Sequence, residues 1–174
     1  DMRQNSVVHK AILILIPILS ILLVWASDAV AQQVPLIYST DLFHPPDDPD
    51  DTVDLATVFA LPELDLKAII LDLGQQQRKA PGAIPVRQLL ALTGKRVSVA
   101  TGLLHPLRYP DDTGDDQFGN SHGGVRLILK TLRESEAKVV IITVGSVRDV
   151  VAAYNREPGL FRKMIRTIYV NAGN

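Results

Sequence analysis

The chain has 174 residues, no cysteine and a formal net charge of −1 from 18 basic and 19 acidic side chains. Its basic residues are scattered and aromatics make up only 5%, which excludes a nucleic-acid-binding surface. The missing cysteines exclude a disulfide scaffold and a lipid-anchored lipoprotein.

Residues 1–31 read as a secretory signal peptide. Arg3, His9 and Lys10 form a basic start after Met2, residues 11–27 are uncharged and rich in Ile and Leu, and Ala29-Val30-Ala31 is a small-x-small cleavage site. The mature chain is expected to start at Gln32, in a bacterial periplasm or secreted, with no stable membrane association after cleavage. The competing reading is an uncleaved anchor, because the apolar run is close to the roughly 17 residues a membrane span needs. Pro17 and the cleavage site favour removal. Removal takes away Asp1, Asp28, Arg3 and Lys10, two charges of each sign, so the net charge stays at −1. Asp1 ahead of Met2 reads as upstream sequence, so the chain is expected to be a fragment.

From residue 32 onward, apolar strands alternate with helical periods. Strands are expected at 35–40, 65–71, 96–100, 138–143 and 167–170. Helices are expected at 51–61, 84–92, 122–133 and 147–154, with a further turn at 160–165. Strands with nearly continuous Val and Ile are buried on both faces, as in a parallel sheet covered by helices. Residues 32–174 therefore read as one α/β domain: a doubly wound, mostly parallel sheet with helices on both faces and right-handed crossovers. Ligands in such sheets sit beyond the carboxyl ends of the strands. Asp41, Asp72, Gly74, Gly102, Gly145 and Gly173 are expected there. Residues 106–121, rich in Asp and Gly, read as a long mobile loop.

The densest chemistry lies in residues 37–71. Asp41 falls where the first strand ends, and Asp47, Asp48, Asp50 and Asp51 follow in a Pro-rich loop that runs into a helix. Five carboxylates in one place are costly unless something cationic neutralises them. The candidate ligands are oxygen donors, with His44 the one nitrogen donor nearby, which favours Ca²⁺ or Mg²⁺ over zinc. The bland alternative for Asp50, Asp51 and Asp54 is capping, since first-turn acids complement the helix dipole by about 0.3–1 kcal/mol. One acid would suffice for that. Asp54 reads as a first-turn residue, and Asp47 and Asp48 as solvated loop charges. His44, His105 and His122 read as surface histidines, and Asp149 as a side chain that bonds nearby backbone.

The same segment resembles the N-terminal signature of the inosine-uridine-preferring nucleoside hydrolase family. That signature is a strand, a D-x-D-x-x-x-D-D loop, a helix and a turn into a second strand. Asp50 and Asp51 fall on the paired acids, Pro62-Glu63 on the turn, and Asp41 on the acid that precedes the loop. Ser39 stands where the first acid is expected, and the loop is several residues longer. Gly74-Gln75 lies where the family has Gly-Asn. The segments VSVATGLLHP, VVIITVGSVRD and the stretch from Thr167 onward follow in the family's order. The likeness covers nearly everything after residue 34.

The resemblance implies Ca²⁺-dependent hydrolysis of the N-glycosidic bond of ribonucleosides. Asp41 would be a metal ligand and the catalytic base, Asp51 a second ligand, and Val144 a third through its main-chain carbonyl. Asp50, Gln75 and Asn171 would bind substrate. The family is about twice this length, so the chain is expected to carry half a site and to be inactive alone. The expected partner is a small nucleoside or ribosyl substrate, with a homo-oligomer in view. The rival reading, kept open by Ser39 and Gln75, is a non-catalytic exported sugar- or nucleoside-binding protein on the same scaffold.

Overall fold

The computed structural model describes residues 32–44, 49–117 and 122–171. The expected signal peptide lies outside them, as do Asp47, Asp48 and Gly173. Among the described residues no helix is long and apolar enough to cross a membrane.

The strands are β1 (Val34–Thr40), β2 (Leu64–Leu71), β3 (Ser98–Thr101), β4 (Val139–Thr143) and β5 (Ile165–Val170). The helices are α1 (Asp50–Ala60), α2 (Gln75–Lys79), α3 (Ala83–Thr93), α4 (Gly123–Glu134), α5 (Arg148–Arg156) and α6 (Pro158–Met164). All strand pairs are parallel, in the order β3-β2-β1-β4-β5. The fold is the expected parallel α/β sheet, and each expected element is present with both ends within two residues of the sequence reading. The exception is α2, a five-residue helix of Gln, Arg and Lys. It carries no apolar period, which is why the pattern does not reveal it.

Strand periodicity explains the two-sided core. Successive side chains on a strand point to opposite faces. On one face Ile37, Ile70 and Ile141 pack with Val125, Ile128 and Leu132 of α4 and Val150 of α5. On the other, Leu36, Tyr38 and Ile69 pack with Leu55, Val58 and Phe59 of α1 and Val86 of α3. β1 is covered on both sides, and Leu36, Ile37 and Tyr38 are essentially without solvent contact. Burying one such aliphatic side chain contributes about 1.5–3 kcal/mol. The outer strands differ: β3 exposes Val99, and β5 exposes Tyr169 and Val170. Gly94, at φ 66°, terminates α3 in a left-handed conformation that a Cβ would disfavour.

The strand order fixes where a ligand can sit. The chain winds outward from β1 through β2 to β3, then returns to place β4 on the other side of β1. The reversal opens a crevice between the carboxyl ends of β1 and β4, the place where open α/β sheets bind ligands. Asp41 is the first residue beyond β1 and Val144 the first beyond β4.

Candidate functional site

Asp41 is clamped by the exits of both neighbouring strands. The Val144 N–H donates to Ser39 O at 2.9 Å, and the Asp72 N–H donates to Thr40 O at 2.8 Å. Gly145 rests directly on Asp41: a Cβ there would lie 2.9 Å from both Asp41 Cβ and Asp41 N. A larger residue would push the β4 exit turn off the carboxylate.

The opposite wall is the first turn of α1. Pro49 is its N-cap residue, and no side chain caps it. Asp51 makes no side-chain cap bond, and it shares with Asp50 the first turn, where acids complement the helix dipole. Its half-buried carboxyl also hydrogen-bonds the carboxyl of Asp41. Burial, that bond and the charges of Asp41, Asp50 and Asp54 push Asp51 up to about 7. Asp50 is exposed, and its Oδ1 accepts the Asp51 N–H at 2.7 Å. Asp54 is exposed as well. The acids also reach the core: Tyr38, fully buried, titrates above its ordinary range because of burial and the charges of Asp54 and Asp51.

The remaining sequence candidates fall along the same edge of the sheet. Gln75 opens α2 just beyond β2 and is exposed. Asn171 follows β5, is exposed, and donates its N–H to Thr143 O at 2.9 Å. The residue of α2 that reaches Asp41 is Gln77, which sequence reasoning missed. It is buried, and its Nε2 donates to the main-chain oxygen of Asp41. Gly74 makes the space, since a Cβ there would lie 2.3 Å from Gln77 Oε1. The Gln-rich run 75–77 offered no signal as to which amide turns inward.

Two more acids are buried at these strand ends. Asp72 accepts the Ser146 N–H at 2.9 Å and pairs with Arg148 Nε at 3.2 Å. Asp149 accepts the N–H of Leu103, 46 residues away rather than nearby in sequence, at 3.1 Å, and burial pushes it up to about 7.

Of the candidate histidines, His44 is half-buried and donates its main-chain N–H to Ala80 O at 3.2 Å. His122 is held through both ring nitrogens, Nδ1 by Arg156 at 3.0 Å and Nε2 by Gln117 O at 2.5 Å. His105 is exposed. The loop read as mobile is tied down over its described part. Asn155 Nδ2 donates to Pro110 O and Asp112 O, and Arg156 Nε to Thr113 O. A cavity of about 500 Å³ opens in this loop beside Leu104, Leu107 and Arg108, and shares no lining residue with the Asp41–Asp51 pair.

The donors of the crevice are oxygens: the carboxylates of Asp41 and Asp51, with the Val144 carbonyl on the adjoining turn. Two carboxyls this close cannot both ionise cheaply without a cation, and Asp51 is raised by burial first and by Asp41 after it. The set fits a hard divalent cation. It does not fill the roughly six to eight positions that Ca²⁺ takes. Among the described residues no group of three His, Cys, Asp or Glu side chains converges on one point.

Comparison with known proteins accords with this geometry. No family model matches the chain. It is 29% identical over 151 residues to the pyrimidine-specific ribonucleoside hydrolase RihA of Escherichia coli O1:K1, covering 78% of this chain and 47% of that protein. Among solved structures it resembles the type III effector protein XopQ complexed with adenosine diphosphate ribose, with TM-score 0.60 and 19% identity over 82% of this chain and 45% of that one. It also resembles the inosine-uridine preferring nucleoside hydrolase from Bacillus anthracis, with TM-score 0.59 and 13% identity over 82% and 51%. The resemblance to nucleoside hydrolases read from the sequence is thus found again in both sequence and fold. The chain spans about half the length of the curated relatives it matches.

Proposed function

We propose that this chain supplies the first half of a ribonucleoside hydrolase site, in an exported protein. The observation that carries the reading is the Asp41–Asp51 carboxyl pair at the strand-order reversal, in a chain similar to a ribonucleoside hydrolase. Asp41, Asp51 and the Val144 carbonyl would hold a Ca²⁺. Bound there, the ion supplies the positive charge that polarises water and orients ribose hydroxyls. Asp41 accepts the proton of the attacking water, held in place by Gln77 and Gly145. Asp50, Gln75 and Asn171, exposed at the start of α1, at the start of α2 and just after β5, would bind ribose hydroxyls. The exposed outer face of β5 supports association, including with a second copy of the chain.

A second reading keeps the scaffold and drops the chemistry: a binding protein for a ribosyl ligand. It is favoured by Ser39, which replaces an acid of the family pattern, and by the likeness to an effector protein solved with adenosine diphosphate ribose.

The test is ribose release from uridine, cytidine and inosine by the full-length protein. Hydrolysis is expected, and Asp41→Asn should lower it by about 10²–10⁴-fold, the usual contribution of a general base. Binding of nucleosides without ribose release supports the second reading. Neither binding nor release overturns both.

A further inference from the structure

We infer that Asp72 is a positioning residue for the Asp41–Asp51 site, holding the β4 exit turn against Asp41. The inference rests on the reading that this pair takes a hard cation. Asp72 leaves the end of β2, and Ser146 and Arg148 follow β4. β1 lies between those strands, so the bonds from Asp72 to Ser146 and Arg148 pass over the end of β1, where Asp41 begins.

The turn so held is a small folded unit. Ser146 Oγ accepts both the Arg148 N–H at 3.1 Å and Arg148 Nε at 2.8 Å. Arg148 Nη1 reaches Leu103 O at 3.4 Å, which ties in the exit of β3. One ion pair therefore joins the exits of three strands around the crevice. Between Thr143 and Ser146 the turn carries the two features that matter to the site: the Val144 main chain and the Cα of Gly145 pressed on Asp41. The fixed point is the buried acceptor. Asp72 is 5% exposed, and without it the Ser146 N–H loses its partner. Losing that part-buried bond removes the contact that holds the turn to the end of β2.

Arg148 has the complementary part. Burial pushes the Asp72 carboxyl up, while Arg148 and the N–H groups of Ser146 and Leu73 pull it back. Arg148, 16% exposed at its side chain, thus offsets part of the burial of Asp72 beside a site that already holds two carboxyls. A merely structural ion pair would stabilise the fold and leave the site indifferent to it. A positioning pair makes cation affinity depend on the acceptor at residue 72.

Two double variants of the full-length protein separate these roles. Asp72→Asn with Arg148→Gln and Asp72→Ala with Arg148→Gln carry the same charge. They differ in whether residue 72 still offers an oxygen to Ser146 N–H. Ca²⁺ affinity is measured by competition with a fluorescent chelator, on samples with cooperative thermal melts. The alanine pair should bind Ca²⁺ about 10-fold or more weakly than the asparagine pair, the usual cost of losing a residue that orients a ligand. If the alanine pair does not fold, Asp72→Ser replaces it, its hydroxyl being too short to reach Ser146. Equal affinities in the two folded variants overturn the inference, as does complete loss of binding in both, which would assign the effect to charge. A wild-type protein that binds no Ca²⁺ overturns the underlying reading and this inference with it.

Discussion

The carboxyl of Asp51, in the first turn of α1, is hydrogen-bonded to the carboxyl of Asp41 at the end of β1. Nine residues lie between them in sequence, and the Pro-rich loop returns the chain to the strand end it has just left. Acids so placed repel unless a proton or a cation lies between them.

The proton case predicts an inverted pH dependence of stability. Asp51 and Asp149 both titrate near 7 when folded, against about 3.9 for an unfolded aspartate. Between these values the folded state keeps protons that the unfolded state has released. Stability therefore falls as pH rises from about 4 to 7. The contribution of the two groups is complete below that window and lost above it. Asp72, raised mainly by burial, acts in the same direction. Asp112 lies below its ordinary range because the Arg108 and Gly114 N–H groups bond it, and it acts oppositely only at pH under about 4. Thermal melts without divalent cations should show Tm falling from pH 5 to pH 8, and less steeply in Asp149→Asn. A Tm that rises across this range contradicts the assignment.

Packing around Asp149 gives a second prediction. A Cβ on Gly124 would meet Asp149 Oδ1 at 2.5 Å and both Gly102 Cα and Ile70 Cγ2 at 2.9 Å. Backbone and core cannot yield cheaply there. Gly124→Ala should destabilise by about 1–3 kcal/mol, the usual cost of overpacking. Gly159, in α6, has nothing within 4 Å of such a Cβ. Gly159→Ala should be neutral or stabilise by up to about 1 kcal/mol through helix propensity. Urea denaturation of the two variants measures both, and equal midpoints would refute the packing account.

The parts of this structure that follow period and composition were legible in the sequence. Continuous apolar strands such as residues 138–143 announce a parallel sheet, and a strand-end acid followed by paired acids announces the crevice. The parts that depend on tertiary reach were not. Gln77 differs from Gln75 and Gln76 only in the direction it faces once α2 forms, and no local pattern carries that. Asp72 stood at a strand end like several other residues. Its role emerges only when β4 is placed two strands away, where Ser146 and Arg148 can meet it.

The account depends most on Asp41 and Asp51 acting together as ligands of a hard cation. Calorimetric titration of the full-length protein with Ca²⁺ at pH 7.5 tests this directly, comparing the wild type with Asp51→Ala and Asp54→Ala. Loss of one carboxylate weakens a hard-cation site steeply. Asp51→Ala should therefore abolish the binding isotherm, while Asp54→Ala, which removes an exposed acid from the same turn, should change the affinity by no more than about 3-fold. Unchanged Ca²⁺ affinity in Asp51→Ala would contradict the assignment and leave the carboxyl pair as a proton-sharing contact of the fold.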